Sequence, residues 1–184
     1  MNTDYLQALI RELLKQIGED PDRPGLQDTP KRVAKMWSEF MDYEPGTTDT
    51  AFQLQSTDQM VVVSGMRVWS MCEHHLLPFW CDISIGYIAE GKVLGLSKFG
   101  RIAHKHAHKL QIQERLVEEI AQEIRETTGS ENVAVIATGE HLCMTMRGVR
   151  TPARMTSSSV HGSFRGDPAA RAEFLELVRT ANVT

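Results

Sequence analysis

Two short clusters about seventy positions apart, Cys72-Glu73-His74-His75 and His141-Leu142-Cys143, constrain what this chain can fold into. They hold two of its three cysteines and three of its seven histidines. Thiolate and imidazole together suit a borderline-soft cation, of which zinc is the commonest in proteins. A fold that carries a metal here must bring two elements far apart in sequence end to end. Cys72 and His75 are spaced so that one turn can aim both at a single ion. His141 and Cys143 share a face if their segment is a strand. Two outcomes stay open. With Cys72, His75 and Cys143 as ligands, zinc keeps a fourth position for water, as catalytic sites do. With His141 added, the site closes as Cys2His2 and becomes a structural staple. Glu73 and His74, in the same turn, can orient a ligand. A lone cysteine is more often a small core residue, and Cys81, isolated on the apolar face of a strand, reads that way.

Apolar periodicity places these clusters. Residues 3–17 predict an amphipathic helix ending at Gly18, and Thr29-Pro30 opens a second helix with Val33, Met36, Trp37 and Phe40 inward. Residues 44–58 are polar and irregular, so we expect a helical arm over 1–58 and a main domain over 59–184. Residues 60–69 and 79–88 read as strands, the second with strict alternation. Residues 91–96 extend the sheet, and Ser97 caps a helix to about His108. A further helix runs from Gln113 to Gly129, with Leu116, Val117, Ile120, Ala121 and Ile124 inward. Residues 133–137 and 141–149 supply two more strands, and Asp167-Pro168 starts a terminal helix. Helices segregated to one side of an antiparallel sheet give an α+β layer architecture. Open sheet edges favour self-association.

The bulk numbers exclude several classes. A net charge of -4 over 184 residues argues against a general nucleic-acid partner. No apolar run approaches the ~20 residues a bilayer requires. Met1-Asn2-Thr3-Asp4 lacks the pattern of a signal peptide, and three cysteines form no disulfide framework. We therefore expect a cytoplasmic setting.

Between the clusters, Gly95-Leu96-Ser97-Lys98 with Arg101 offers a helix start and two cations to a phosphate. Arg147 follows Cys143 closely, and Arg32 and Lys35 lie one turn apart on the second helix. Each of these cations alone reads as a solvated surface charge; together they suit a triphosphate. Glu114, in a first helical turn, can accept the ring N–H and amino group of guanine, a paired donor edge that adenine lacks.

With these pieces in order, the chain resembles the GTP cyclohydrolase I family of zinc-dependent enzymes. The resemblance spans about 19–175. It rests on Asp28-Thr29-Pro30, Arg32-Val33-Ala34-Lys35-Met36, Ser70-Met71-Cys72-Glu73-His74-His75, Gly95-Leu96-Ser97-Lys98, Gln111-Ile112-Gln113-Glu114-Arg115-Leu116, His141-Leu142-Cys143 and Arg147-Gly148-Val149-Arg150. It implies that Cys72, His75 and Cys143 hold Zn2+, and that His74 and His141 transfer protons beside it, with Ser97 as a third catalytic group. It implies that Glu114, with Gln113 beside it, reads guanine. Ser97, Lys98, Arg101, Arg147, Arg32 and Lys35 would surround the ribose and triphosphate. The implied fold is the tunnelling fold, an antiparallel sheet with two helices on one side. The implied assembly is a toroidal homodecamer with active sites where subunits meet. The implied reaction is hydrolysis of GTP at guanine C8 to formate and 7,8-dihydroneopterin triphosphate, the first step of folate and pterin biosynthesis. The rival expectation is a non-catalytic binding protein with a closed Cys2His2 zinc. The chain departs from the family pattern at His104-Lys105-His106-Ala107-His108, at Gly139-Glu140 and in the serine-rich segment 156–162. His104 and His108 have metal-binding spacing, although a solvent-facing helix explains them better.

Overall fold

A computed structural model describes residues 1–54 and 58–181. Positions 55–57, at the end of the polar stretch expected to separate arm from domain, lie outside the described residues. The chain forms two compact units, Met1–Glu44 and Pro45–Thr184.

In the first unit, α1 (Thr3–Gln16) packs against α2 (Thr29–Met41). The Asn2 side chain caps α1 by accepting from the Tyr5 N–H at 3.0 Å. Gly18 ends it in the left-handed region (φ 87), and the N–H groups of Gly18 and Glu19 return to the carbonyls of Lys15 and Leu14. Helix α2 has Pro30 in its first turn and Asp28, rather than Thr29, at the cap position. Leu14 and Ala34 are buried.

The second unit is α+β. Its main sheet runs β5-β2-β3-β6-β7, from β2 (Met60–Cys72), β3 (Pro78–Ile88), β5 (Leu110–Gln111), β6 (Val133–His141) and β7 (Met155–Val160). The expected all-antiparallel sheet is corrected to a mixed one. Edge strand β5 runs parallel to β2, pairing Met71 with Leu110 and Cys72 with Gln111. Residues 91–96 do not extend this sheet: β4 (Lys92–Leu94) pairs instead with β1 (Ala51–Gln53) in a separate two-stranded ribbon. Strand β6 is continuous to His141, after which the chain turns into α5 (Leu142–Thr145), so 141–149 is no strand. The next strand is β7, within the serine-rich run, which has no apolar alternation to announce it. Its inward residues are polar and paired: Ser159 donates to Glu118 at 2.6 Å.

Helices α3 (Leu96–Ala107) and α4 (Gln113–Thr128) cover one sheet face, with Phe99, Ile102, Leu116, Ile120 and Ile124 against Phe79, Cys81, Ile83, Ile85 and Tyr87. Gly95, not Ser97, occupies the cap position of α3, and Ser97 lies inside its first turn. Gly129 closes α4 with φ 77. The other face is partly covered by α6 (Ser163–Gly166) and α7 (Pro168–Ala181), whose Phe174 lies so close to Gly86 that an added Cβ there would sit 2.6 Å from its ring. No helix among the described residues is long and apolar enough to cross a membrane.

One irregularity decides where the metal cluster falls. Strand β2 pairs Val63 with Ile85 but Met66 with Ile83, so one extra residue is inserted, beside Gly65 at φ 72. That bulge inverts the alternation. Val61 and Val63 face the core before it; Met66, Val68 and Cys72 face it afterwards. Without the bulge, Cys72 would point to the opposite face.

Candidate metal centre and nucleotide site

Cys72 ends β2 and begins a tight turn to β3. Its carbonyl accepts the N–H groups of His75 (3.3 Å) and Leu76 (2.9 Å), its N–H donates to the Leu77 carbonyl (2.9 Å), and Leu76 takes φ 53 to close the turn. Cys143 arrives from α5, two residues past the end of β6. The ligand atoms of Cys72, His75 and Cys143 all lie within 4.8 Å of one another. The Cys72 sulfur is 3.6 Å from His75 Nδ1, and two ligand atoms on one tetrahedral zinc lie roughly 3.6 Å apart, given bonds of about 2.0 and 2.3 Å. Burial and the facing Cys72 thiol push the Cys143 thiol up from its ordinary value. Two thiols that face each other beside an imidazole are a donor set suited to a cation such as zinc. The residues fit zinc.

His141 does not join this group. Its register partner on β3 is Phe79, and the two rings stack at 4.5 Å and 6°. Its Nε2 lies 2.9 Å from Gln113 Oε1. Burial lowers its pKa, and the carboxylate of Glu114 opposes that shift. His74 is different: its side chain is 65% exposed, with Nδ1 3.9 Å from the Cys72 sulfur. Cys81 is buried, and burial pushes its thiol up to about 12, so it is an inert core residue as expected.

A cavity of about 240 Å³ is lined by Cys72, His74, His75, Gln113, Glu114, His141 and Cys143, together with Gln111 and Ile112. Sites for drug-sized ligands measure ~300–1,000 Å³, so this one has room for a base rather than a whole nucleotide. Glu114 enters it from the first turn of α4. Gln113 is fully buried, its amide committed to Ala137, Met155, Cys81 and His141, and so has no group left for a base. Contacts that the sequence did not reveal hold the turn. Arg115 ion-pairs with Glu73 and donates to Gln111 Oε1 at 2.7 Å, and the Glu73 N–H bonds the Gln111 carbonyl at 3.1 Å.

None of the expected phosphate groups is among the residues lining this cavity. Ser97 is exposed at the start of α3. Lys98 donates to the Thr47 carbonyl and hydroxyl, both at 2.8 Å, and Arg101 to the Pro45 carbonyl at 3.1 Å. Arg147 is exposed, and its charge favours the Cys143 thiolate. Arg32 and Lys35 belong to the first unit, where Arg32 bonds Gly25 and Thr29, and Lys35 pairs with Glu39 at 3.3 Å. His104, in the last turn of α3, and His108, just past its end, have ring centroids 5.4 Å apart at a tilt of 42° and take no part in the Cys72–His75–Cys143 group.

Fold and centre together define an α+β protein with a candidate metal centre beside a small cavity. Comparison with known proteins narrows that class. A family model described as GTP cyclohydrolase I matches residues 6–179, and this chain belongs to that family. It is 45% identical over 181 residues to GTP cyclohydrolase 1 of a Sulfurihydrogenibium species, covering 98% of this chain and 97% of that one. The relative from Hyperthermus butylicus is 44% identical over 173 residues (94% and 89% covered). That from Bacillus subtilis is 44% identical over 184 residues (97% of each). Among solved structures, the archaeosine synthase QueF-Like in its apo form aligns with 54% of this chain and 92% of its own, at 16% identity and a TM-score of 0.39. The family is zinc-dependent, and the Cys72–His75–Cys143 group could bind such an ion.

Proposed function

We propose that this chain opens the five-membered ring of GTP at guanine C8, releasing formate and yielding 7,8-dihydroneopterin triphosphate for folate synthesis. The observation that carries the reading is the convergence of a Cys-His-Cys group, two histidines and Glu114 on one base-sized cavity, in a chain of this family. Cys72, His75 and Cys143 would hold zinc, which when bound supplies Lewis acidity and lowers the pKa of water. Leaving His141 outside the group favours three protein ligands over the closed Cys2His2 staple.

The chain's own groups do the rest. Glu114 accepts the paired donors of guanine and so fixes which edge of the base meets the centre. His141 and His74 take a proton from the attacking water and return one to the departing ring nitrogen, imidazole having the pKa for both directions. Ser97 serves the later ribose rearrangement. Lys98, Arg101, Arg147, Arg32 and Lys35 neutralise the triphosphate, with Lys98 and Arg101 exchanging Thr47 and Pro45 for phosphate oxygens. Residues 1–58 act as the arm and 59–184 as the catalytic domain. We read the second unit as a tunnelling fold assembled into a toroidal homodecamer with sites where subunits meet, working in the cytoplasm. A cavity large enough for only the base supports a site completed by further copies.

The test is incubation of zinc-loaded protein with GTP, followed by oxidation and detection of a fluorescent pterin together with formate. Absence of both products would remove the reading. Spectroscopy of the bound ion separates the rival, since a three-ligand centre shows an exchangeable oxygen that a Cys2His2 staple lacks.

A further inference from the structure

Gln113 sits at the first position of α4, and its side chain reaches beneath the cavity into three strands. The amide nitrogen donates to the backbone carbonyls of Ala137 (3.0 Å) and Met155 (3.1 Å). A carbonyl accepts and never donates, which settles the orientation of the amide. Turned over, it would set its own oxygen against two others. The remaining atom, Oε1, therefore faces His141 Nε2 at 2.9 Å and accepts the Cys81 thiol at 3.3 Å. An oxygen opposite a ring nitrogen requires a proton on that nitrogen. Phe79, stacked at 4.5 Å, fixes the plane of the imidazole.

We propose that Gln113 is a positioning residue that holds His141 as its Nε2–H tautomer, so that Nδ1 is the nitrogen exchanging protons with the substrate. This rests on the reaction proposed above and assigns Gln113 a different part from reading guanine. Being fully buried with both amide edges spent, it acts through His141. In the cycle, the lone pair of Nδ1 receives one proton while Nε2–H stays bonded to Gln113. Return of that proton from Nδ1 restores the starting tautomer, with nothing else gained or lost.

The experiment is nitrogen-15 NMR of the histidine rings in zinc-loaded protein, with the His141 signal assigned by its loss in His141→Asn. Wild type is expected to show a proton on Nε2 and none on Nδ1. Gln113→Met removes the acceptor: the tautomer becomes mixed, and kcat falls about 10–100-fold while KM for GTP stays within about threefold. Gln113→Glu keeps an oxygen toward Nε2, so the Nε2–H signature persists and kcat recovers relative to Gln113→Met, although stability drops with the lost carbonyl contacts. A protonated Nδ1 in wild type overturns the proposal. So does a Gln113→Met protein that keeps the wild-type tautomer and loses only KM, the result expected of a base reader. If Gln113→Met does not fold, the wild-type spectrum and Gln113→Glu still decide. If wild type makes no formate from GTP, the functional reading falls, while the tautomer measurement judges Gln113 independently.

Discussion

Around Cys72, Cys143 and His141 the supporting contacts come from one compact unit, and several are fully buried: the Gln113 amide, the Phe79 ring, the Cys81 thiol. Around Lys98 and Arg101 the supporting contacts are the carbonyls of Pro45 and Thr47, a segment with little core beneath it. Arg32 and Lys35 are exposed and belong to the other unit. The metal centre is therefore preorganised by packing, whereas the cations proposed for a triphosphate either bond loop residues, as Lys98 and Arg101 do, or are exposed, as Arg32 and Lys35 are. Chemistry that must place a proton within a fraction of an ångström needs the first kind of construction. Holding a flexible, highly charged tail needs only the second, because charge attraction tolerates geometric slack.

The widest separation between the two regions should come from Cys143→Ser. Loss of one thiolate removes zinc, so metal content and formate release should vanish together, a larger effect than the ~10–100-fold loss expected when only a supporting partner is removed. Normal formate release from zinc-free protein would undo the assignment of the metal centre. Next is Glu114→Gln. The amide keeps one acceptor but turns a donor toward the guanine N–H edge. A hydrogen bond to a charged group contributes about 1.5–3 kcal/mol, so affinity for GTP should fall roughly 10–100-fold while inhibition by ATP changes little. Equal losses for both nucleotides would deprive Glu114 of base selection.

The same contrast explains what could be read from the residues alone. Cys72, His75 and Cys143 were recognisable because metal-ligand chemistry restricts residue type and spacing together. Helices α1, α2 and α4 were recognisable because an apolar face repeats at helical period, with Gly18 and Gly129 closing two of them. The Gln113–His141 bond was not visible, since it depends on the registers of β3, β6 and β7, which no local pattern encodes. Strand β7 was hidden because its inward positions are Ser157 and Ser159, paired with Gln113 and Glu118 instead of packed on apolar residues. The bulge at Gly65 was hidden too, and it alone turns Cys72 inward. The occupied state of Lys98 and Arg101 arises from a segment some fifty positions upstream with no sequence signature.

Gly139→Ala probes the packing that preorganises the metal centre. A Cβ at Gly139 would stand 2.0 Å from the Trp80 carbonyl oxygen and 2.7 Å from the Cys81 sulfur, the thiol that donates to Gln113. Backbone cannot move aside cheaply, so we expect a loss of about 1–3 kcal/mol in denaturant titration and a fall in kcat with little change in KM. A variant as stable and active as wild type would show that β3 and β6 have slack beside His141.

The smallest effect concerns acid stability on α3 and α4. His106 is nearly buried, with Nε2 2.6 Å from Glu123 and Nδ1 3.4 Å from Glu119, while Lys105 and Lys109 pair with the same carboxylates at 2.8 and 2.7 Å. Burial lowers the pKa of His106 below its ordinary 6.5; the hydrogen bond and charge of Glu123 and the charge of Glu119 oppose this, and Lys109 adds to it. A histidine whose pKa is lower folded than unfolded binds fewer protons in the native state between those two values. Stability there rises with pH, so its contribution is complete above pH 6.5 and is lost as pH falls through the folded pKa. Glu119 and Glu123, held below the usual carboxylate value by their lysines despite burial, lose their own contributions only under pH 4.5. His106→Gln should therefore flatten the dependence of the urea midpoint on pH just below pH 6.5 without touching zinc content. Glu123 also accepts from Thr48, next to the residue that holds Lys98, while Gln111 donates to the His106 carbonyl and to Glu119. An unchanged slope would mean that His106 titrates alike folded and unfolded, and a loss of zinc would mean that this cluster and the metal centre are coupled through Glu119 and Gln111.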